Sequence, residues 1–576
     1  MKNLLYSILF LLGSLPFTGC YDLDTYPGDR VSQSSFYQTE EHAKQGVMGI
    51  YGMLRENYAY GYQFCYDHVG DIAYGYDYYM LYLGTYNDRS NEIQSRWQTM
   101  YDGIQRSNSF IRAISSMGVL TDEQKNAYIG EAKFLRALFY FTLMDLYGAV
   151  PYYDETTDLN VDYLNLKNPR CEVNELRGHI LDDLEAAITY LPVSYPESDY
   201  GRATKGAAYA LRGKVYLYNK DWQNAINDFE EIVYNKSNAY GYALDPDYAH
   251  VFKLYNGDKS PEMIFAIQNK SGVGTEYGMQ LQALLGCRSA YGSCWNNSVP
   301  ATTLVDMYEF KDGRPFNWDE IFPGYNNMTP DERKELLSVE MNDKGEVVGL
   351  AKADTAKILD AYENRDPRLM ATVIVPYSIY KGNIGRVENK DMLFALDHNK
   401  AGNPNGGTIQ NNKGWVSYLY RKFVVEYDLD GAISNRLHTP FEFPLIRYAD
   451  VLLMLSEAYN EMGQLDKAVV EFNKVRARVD MPGLNSGPEW MAVTSQEQMR
   501  ERIRKERAIE LVCEGHRFSD LRRWGWEVAS KALNVDAVNI YGELIYEHVF
   551  TERDMLWPIP GVEIERNKAL TQNPGW

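Results

Sequence analysis

The segment GAAYALRGKVYLYNKDWQNAINDFEEIV (residues 206–233) decides the fold when set beside ADVLLMLSEAYNEMGQLDKAVVEFNKVR (residues 449–476). Gly213, Tyr216, Ala225 and Phe229 of the first recur as Ser456, Tyr459, Ala468 and Phe472 of the second, at a constant offset of 243. Apolar residues step by three and four, the period of a buried helix face. Asp221-Trp222 and Gly463-Gln464-Leu465 interrupt each segment midway. Each segment therefore reads as two short antiparallel helices, with a small residue where they touch.

This spacing matches the tetratricopeptide pattern. Such units cannot bury their apolar faces alone, so they stack into a curved scaffold. Earlier segments read as divergent versions. A helix is expected over 92–115, from Trp97, Tyr101, Ile104, Asn108 and Ile111. A second is expected over 122–147, with Thr121 as N-cap, a stripe of Ala132, Leu135, Phe139 and Leu143, and Gly148 and Pro151 at its end. A third covers 172–190. Between about 240 and 440, Gly, Pro, Asn and Asp become dense and long helical periodicity fades. A long irregular insertion in a repeat scaffold usually carries function. The segment from Trp557 reads as extended loop. The fold class is thus mostly α, a helical-repeat scaffold with a large irregular part.

The 576 residues carry 58 Lys and Arg against 79 Asp and Glu, a net charge of −21. That argues against non-specific binding to nucleic acid, where phosphate neutralisation by basic residues supplies the affinity. Tyr occurs 47 times, and an aromatic ring with a polar tip serves both cores and recognition surfaces.

At the start, Met1-Lys2 precedes an apolar run from Leu4 to Leu15, too short for a bilayer and right for a secretory signal. Pro16-Phe17-Thr18-Gly19-Cys20 then resembles a bacterial lipobox, which makes Cys20 the expected lipidation site. Tyr21-Asp22-Leu23-Asp24 resembles a surface-export signal. Five further Cys remain, too few and uneven for a disulfide framework. Cys287 and Cys294 are read either as a small closed loop or as free buried thiols.

Motifs that carry catalytic chemistry are absent from the sequence. The chain holds no phosphate-binding Gly-rich loop ending in Lys, no His-Glu-x-x-His and no Gly-x-Ser-x-Gly. The eight His residues show no metal-ligand spacing, and His516 reads as structural. No cofactor, metal or catalytic residue is expected. Asp428-Leu429-Asp430-Gly431 is only a fragment of a calcium loop.

Several longer blocks are more specific. They are Gly130-Glu131-Ala132-Lys133-Phe134-Leu135-Arg136-Ala137, Tyr147-Gly148-Ala149-Val150-Pro151-Tyr152, and Phe443-Pro444-Leu445-Ile446-Arg447-Tyr448-Ala449-Asp450, read as opening a helix. Further on come Glu514-Gly515-His516-Arg517-Phe518-Ser519-Asp520-Leu521-Arg522-Arg523-Trp524, Trp557-Pro558-Ile559-Pro560 and Gln572-Asn573-Pro574-Gly575-Trp576. In this order they resemble the SusD/RagB family of outer-membrane nutrient-binding lipoproteins. The resemblance implies four tetratricopeptide-like helix pairs beside an irregular ligand-binding half, and binding without catalysis. It also implies a TonB-dependent (SusC-like) transporter as partner, and a glycan, or in the RagB branch a peptide, as ligand. The expected layout is a signal peptide over 1–19, a lipid tether over 20–35 and one domain over 36–576. Within that domain the scaffold covers about 36–240 and 440–530, the ligand-binding region about 240–440, and the closing segment 550–576. Charged residues at helical spacing, Arg447 with Asp450, Glu506 with Arg507 and Glu510, and Glu514 with Arg517, Asp520 and Arg523, are read as scaffold ion-pair networks that can pair across one helical turn.

Sugars are held by aromatic faces and by side chains that pair with hydroxyls. Two clusters supply both. Residues 58–86 hold ten Tyr, among them Tyr78, Tyr79 and Tyr82, with Asp71 interleaved. Residues 287–318 hold Arg288, Tyr291, Trp295, Asn296 and Trp318, and Trp295 lies in a Gly/Ser/Asn-rich stretch where a core role is disfavoured. Trp415 is a further candidate. The rival readings are a peptide-binding protein of the same fold, a surface glycosidase with two carboxylates about 5–10 Å apart, and a helical-repeat adaptor without an exposed aromatic platform.

Overall fold

The computed structural model describes residues 36–576, except 76–78, 158–165, 236, 238, 255–258, 273, 275, 398–401 and 411–415. The expected signal peptide, tether and Cys20 lie outside the described residues, as do Tyr78 and Trp415.

Helix α1 (Glu40–Tyr51) packs on α2 (Asn91–Ser115) and α3 (Asp122–Tyr147). Then follow α4 (Val173–Tyr190), α5 (Lys205–Tyr218), α6 (Trp222–Tyr234), α7 (Tyr448–Glu461) and α8 (Leu465–Ala477). Successive helices pack on one another, which gives four pairs, α1/α2, α3/α4, α5/α6 and α7/α8. Helix α9 (Gln496–Glu510) closes the stack against α7. The three early helices start and stop within a residue of the expected limits. Thr121 caps α3 in a box with Gln124, each side chain bonding the other residue's backbone N–H.

The recurring small residues do what the pattern demands. A Cβ on Gly213 would lie 2.5 Å from the Phe229 ring, so only glycine allows that approach. At the equivalent place Ser456 donates its hydroxyl to the Ala468 carbonyl at 2.7 Å.

Between 240 and 440 no described helix exceeds the nine residues of Thr355–Glu363. Two short ribbons fix this half to the scaffold. Strand β1 (Ala73–Gly75) pairs antiparallel with β3 (Ser298–Pro300), and β2 (Met263–Ile267) pairs antiparallel with β4 (Phe443–Arg447). Phe443–Arg447 is thus a buried strand and not the start of a helix, which begins at Tyr448. Pro444 has no N–H to give a helix, and the segment is covered on both faces. The closing segment is not wholly extended either, since Gly561–Arg566 forms one helical turn and a half.

The charged blocks pair between elements rather than along one helix. Arg447 reaches Glu262 at 2.6 Å, Glu510 at 2.7 Å and Glu514 at 2.8 Å, all fully buried. Arg368 joins Asp366, Glu506 and Glu510, and Lys422 joins Glu514 at 2.8 Å. Asp450 takes Arg507 at 2.8 Å, not Arg447, and Arg507 continues to Asp520 at 2.8 Å. Of the pairs expected along one helix, Asp520–Arg523 forms. Arg517 reaches back to Asp71 at 2.7 Å. Glu262, Arg368 and Lys422 come from the irregular half, so this network joins the two parts of the molecule.

These carboxylates set an acid limit. Burial pushes Glu510 up, but the Arg478, Arg447 and Arg368 guanidinium groups together hold it well below the usual range. Burial is likewise outweighed at Glu514 by Arg447 and Lys422, at Asp520 by Arg507 and Arg523, and at Asp450 by Lys214 and Arg507. Groups lowered in the folded state contribute stability above their ordinary values, and that stability is lost as pH falls through the lowered ones. The urea midpoint is therefore expected to fall steeply below a pH of about 4. Equal midpoints at pH 5 and pH 3 would contradict this reading.

Candidate functional site

The two aromatic clusters meet. In the β1/β3 ribbon Gly75 lies opposite Ser298, and His68 Nε2 and Ser298 Oγ are 2.5 Å apart beneath it. A Cβ on Gly75 would lie 2.2 Å from the Asn297 carbonyl, so the glycine is what lets the strands close here. Residues 295–297 enter β3 beside the end of β1.

The loop from Gly286 to Asn297 is held by backbone bonds within itself and to the short helix before it, Leu281–Leu285. Cys294 N–H donates to the Cys287 carbonyl at 3.2 Å, Trp295 N–H to Ala283 at 2.7 Å and Asn297 N–H to Leu284 at 2.7 Å. Both thiols are buried and free, so no disulfide closes the loop. Ser293 and Asn296 adopt left-handed backbone, with φ of 57° and 53°, as does Gly292 at 86°. Two non-glycine residues in this conformation within four concentrate backbone strain, which clusters at functional sites. Arg436 clamps the loop. Its guanidinium lies 5.1 Å from the Trp295 ring and donates to the carbonyls of Gly292, at 2.6 Å, and Ser293. Trp295 is thus oriented by a cation on one face, at the boundary between core and surface.

The other candidates divide. Arg288 and Tyr291 sit half-buried on the same loop as Trp295. Asn296 is enclosed, so its side chain cannot reach a surface ligand. Tyr82 is 4% exposed; it lies flat on Tyr546, with centroids 4.2 Å apart, and its hydroxyl donates to Gly75. Trp318 is 8% exposed; it packs on Tyr325 and Phe316 and donates its indole N–H to Asp306 at 3.2 Å. Both are core residues. For Tyr82 the partner Tyr546 is distant in the chain; Trp318 is covered by near neighbours, Phe316 and Tyr325, in a stretch without helical or strand periodicity. Tyr74 and Tyr86 of the first cluster are buried too. Tyr79 opens a short helix, Tyr79–Tyr82, and its side chain lies outside what the structure describes.

Two residues escaped the sequence reading. Arg436 carries no motif. Tyr277 is 57% exposed, with Arg55 over its ring at 5.5 Å. It lies in Lys270-Ser271-Gly272-Val273-Gly274-Thr275-Glu276-Tyr277-Gly278, the same Gly-rich context that singled out Trp295. The segment bearing Arg436 links the two. Thr439 N–H donates to the Met279 carbonyl at 2.9 Å, and Gly278 N–H to His438 Nδ1 at 3.3 Å.

A groove of 1140 Å³ lies elsewhere, on the scaffold, between α6, α9 and the pair α10 (Arg517–Arg523) and α11 (Trp526–Leu533). Trp222, Trp524 and Trp526 line it among charges of both signs. Trp524 is committed to Glu457 at 2.9 Å and to Arg523 over its face, whereas Trp526 is 38% exposed.

The profile of the family described as "SusD family" matches residues 261–576, more than half of the chain. The chain belongs to the SusD family. A second profile, described as "Starch-binding associating with outer membrane", matches residues 23–217. The chain is similar to the starch-binding protein SusD of Bacteroides thetaiotaomicron, 25% identical over 487 residues, covering 79% of this chain and 74% of that one. A SusD-like protein of Bacteroides fragilis has the same fold, with a TM-score of 0.73 at 25% identity, over 96% of this chain and all of that one. So does the surface glycan-binding protein A of Bacteroides fluxus, with a TM-score of 0.63 at 20% identity, over 94% of this chain and all of that one. No helix among the described residues is long and apolar enough to cross a membrane.

Proposed function

We propose that this protein captures a glycan at the outer cell surface through the loop of Trp295 and passes it to a TonB-dependent, SusC-like transporter in the outer membrane. A lipid on Cys20 holds the protein to that membrane, facing the exterior. The observation that carries the reading is the half-buried Trp295 indole at the boundary of the irregular half, held by Arg436 and a loop with left-handed backbone at Ser293 and Asn296. A fixed ring needs little ordering on binding, so stacking on a sugar face is not offset by lost side-chain freedom. Arg288, Tyr291 and Arg436 stand beside it with groups suited to hydroxyls. Tyr277, and Tyr78, Tyr79 and Trp415 by their place in the sequence, are candidates to extend the surface. The relatives' names, a starch-binding and a surface glycan-binding protein, favour a glycan over a peptide and binding over turnover.

Affinity gel electrophoresis of residues 21–576 against plant, microbial and host polysaccharides tests this. Retardation by a defined glycan, with no new reducing ends on prolonged incubation, is expected. Release of reducing ends would make the protein a glycosidase. Migration unchanged in every glycan, with saturable binding of peptides, would replace the ligand class.

A further inference from the structure

Outside the aromatic surface, one cluster brings together three different donor atoms that no role described above uses. Cys171 lies just before α4, and Glu175 and His179 follow at steps of four along it. The sulfur, a carboxylate oxygen and an imidazole nitrogen all lie within 4.8 Å of one another. Burial first, and then the adjoining Glu175 carboxylate, push the Cys171 thiol up, which sets those two groups side by side. That leaves His179, which completes the set from the next turn.

The cluster is held in place from several sides. Cys171 N–H donates to the Val150 carbonyl at 2.9 Å. The preceding Arg170 is tied to Ala149 at 2.6 Å and Asn573 at 2.6 Å. The His179 ring lies flat on Tyr152, with centroids 3.9 Å apart and planes 5° from parallel. Tyr152 in turn rests on Tyr140, with centroids 5.0 Å apart. The imidazole is thus oriented before any ligand arrives, as metal-binding histidines commonly are by their surroundings.

We propose that Cys171, Glu175 and His179 form a site for one divalent zinc-class cation. Thiolate and imidazole select a borderline-soft metal, and the carboxylate supplies a second negative charge; calcium and magnesium prefer all-oxygen sites. Ligands on one tetrahedral zinc stand about 3–4 Å apart, within a small side-chain rotation of the spacing seen. Three protein ligands leave a fourth position open for water or an added group. On binding, the Sγ–H bond breaks, the proton goes to solvent and the Sγ–metal bond forms. The metal would tie the Cys171 connection to α4, and so brace the second helix pair.

The test uses residues 21–576, tag-free and reduced, titrated with Zn²⁺, Ca²⁺ and Mg²⁺ by calorimetry. One Zn²⁺ per chain is expected, with no heat from Ca²⁺ or Mg²⁺. Cys171→Ser and His179→Ala are each expected to weaken zinc binding at least about tenfold while the metal-free melting temperature holds. A second readout is direct. Cys65, Cys287, Cys294 and Cys513 are buried, so Cys171 is the thiol that a thiol reagent should reach in the folded protein, and zinc should protect it. Zinc affinity unchanged in both variants, or a Cys171 thiol equally reactive with and without zinc, would overturn the proposal, as would the absence of any zinc binding.

Discussion

Replacing Arg447 by Ala is expected to destabilise the protein by at least about 3–5 kcal/mol, the usual cost of removing one partner from a buried ion pair. The physical reason is what it leaves behind. Glu262, Glu510 and Glu514 are fully buried and all bond to this one guanidinium. Arg478 and Lys422 would still face them, but Glu514 would lose both bonds to the Arg447 fork, at 2.8 and 2.9 Å. A domain's whole stability is about 5–15 kcal/mol, so much of the variant should be recovered unfolded or aggregated. Arg447→Lys keeps a charge but offers a point donor in place of a fork, and should fall between the two. By contrast Arg89→Ala, which breaks an exposed pair with Glu565, should cost less than about 1 kcal/mol. Urea unfolding of the three variants checks the order. An Arg447→Ala protein as stable as wild type would remove the network from its place as the joint between the halves.

Replacing Trp295 by Ala is expected to weaken glycan binding by about 30-fold or more, the consequence of losing about 2 kcal/mol at a central aromatic contact. The ring is only partly inside the core, so folding should survive, and an unchanged melting temperature confirms that. Arg436→Ala should weaken binding less, since it frees the ring and the loop without removing the stacking face. Trp526→Ala, in the scaffold groove, should leave glycan affinity unchanged. Loss of binding in Trp526→Ala with retention in Trp295→Ala would move the site to that groove.

The repeat units were legible because their signal is local. Gly213 and Phe229, or Ser456 and Ala468, lie within one hairpin, and a helix period repeats often enough to count. Thr121 could be read as a cap for the same reason. The β2/β4 ribbon was not legible. Its strands lie about 180 residues apart, and four apolar residues and an arginine just before a helix look like more helix. The charged blocks were legible as a structural ion-pair network, but their partners were not. Spacing suggested pairs along one helix, while Arg447 bonds to Glu262, Glu510 and Glu514, each more than 60 residues away in the chain. At the candidate site the Gly/Ser/Asn-rich surroundings of Trp295 suggested a ring outside the core, and the structure leaves that ring half-buried against the core's edge. Tyr82 and Trp318 misled because burial depends on what folds over a ring, here Tyr546 and Tyr325. The triad of Cys171, Glu175 and His179 went unnoticed although its steps of four are visible in the sequence, since one helix turn places such residues on one face.

The most direct measurement is a crystal structure of residues 21–576 with the glycan that retards the protein in the affinity gel. The account predicts a sugar ring lying against the Trp295 indole, with hydroxyls toward Arg288, Tyr291 or Arg436. A sugar seated between Trp222 and Trp526 on the scaffold, with the Trp295 loop empty, would contradict it.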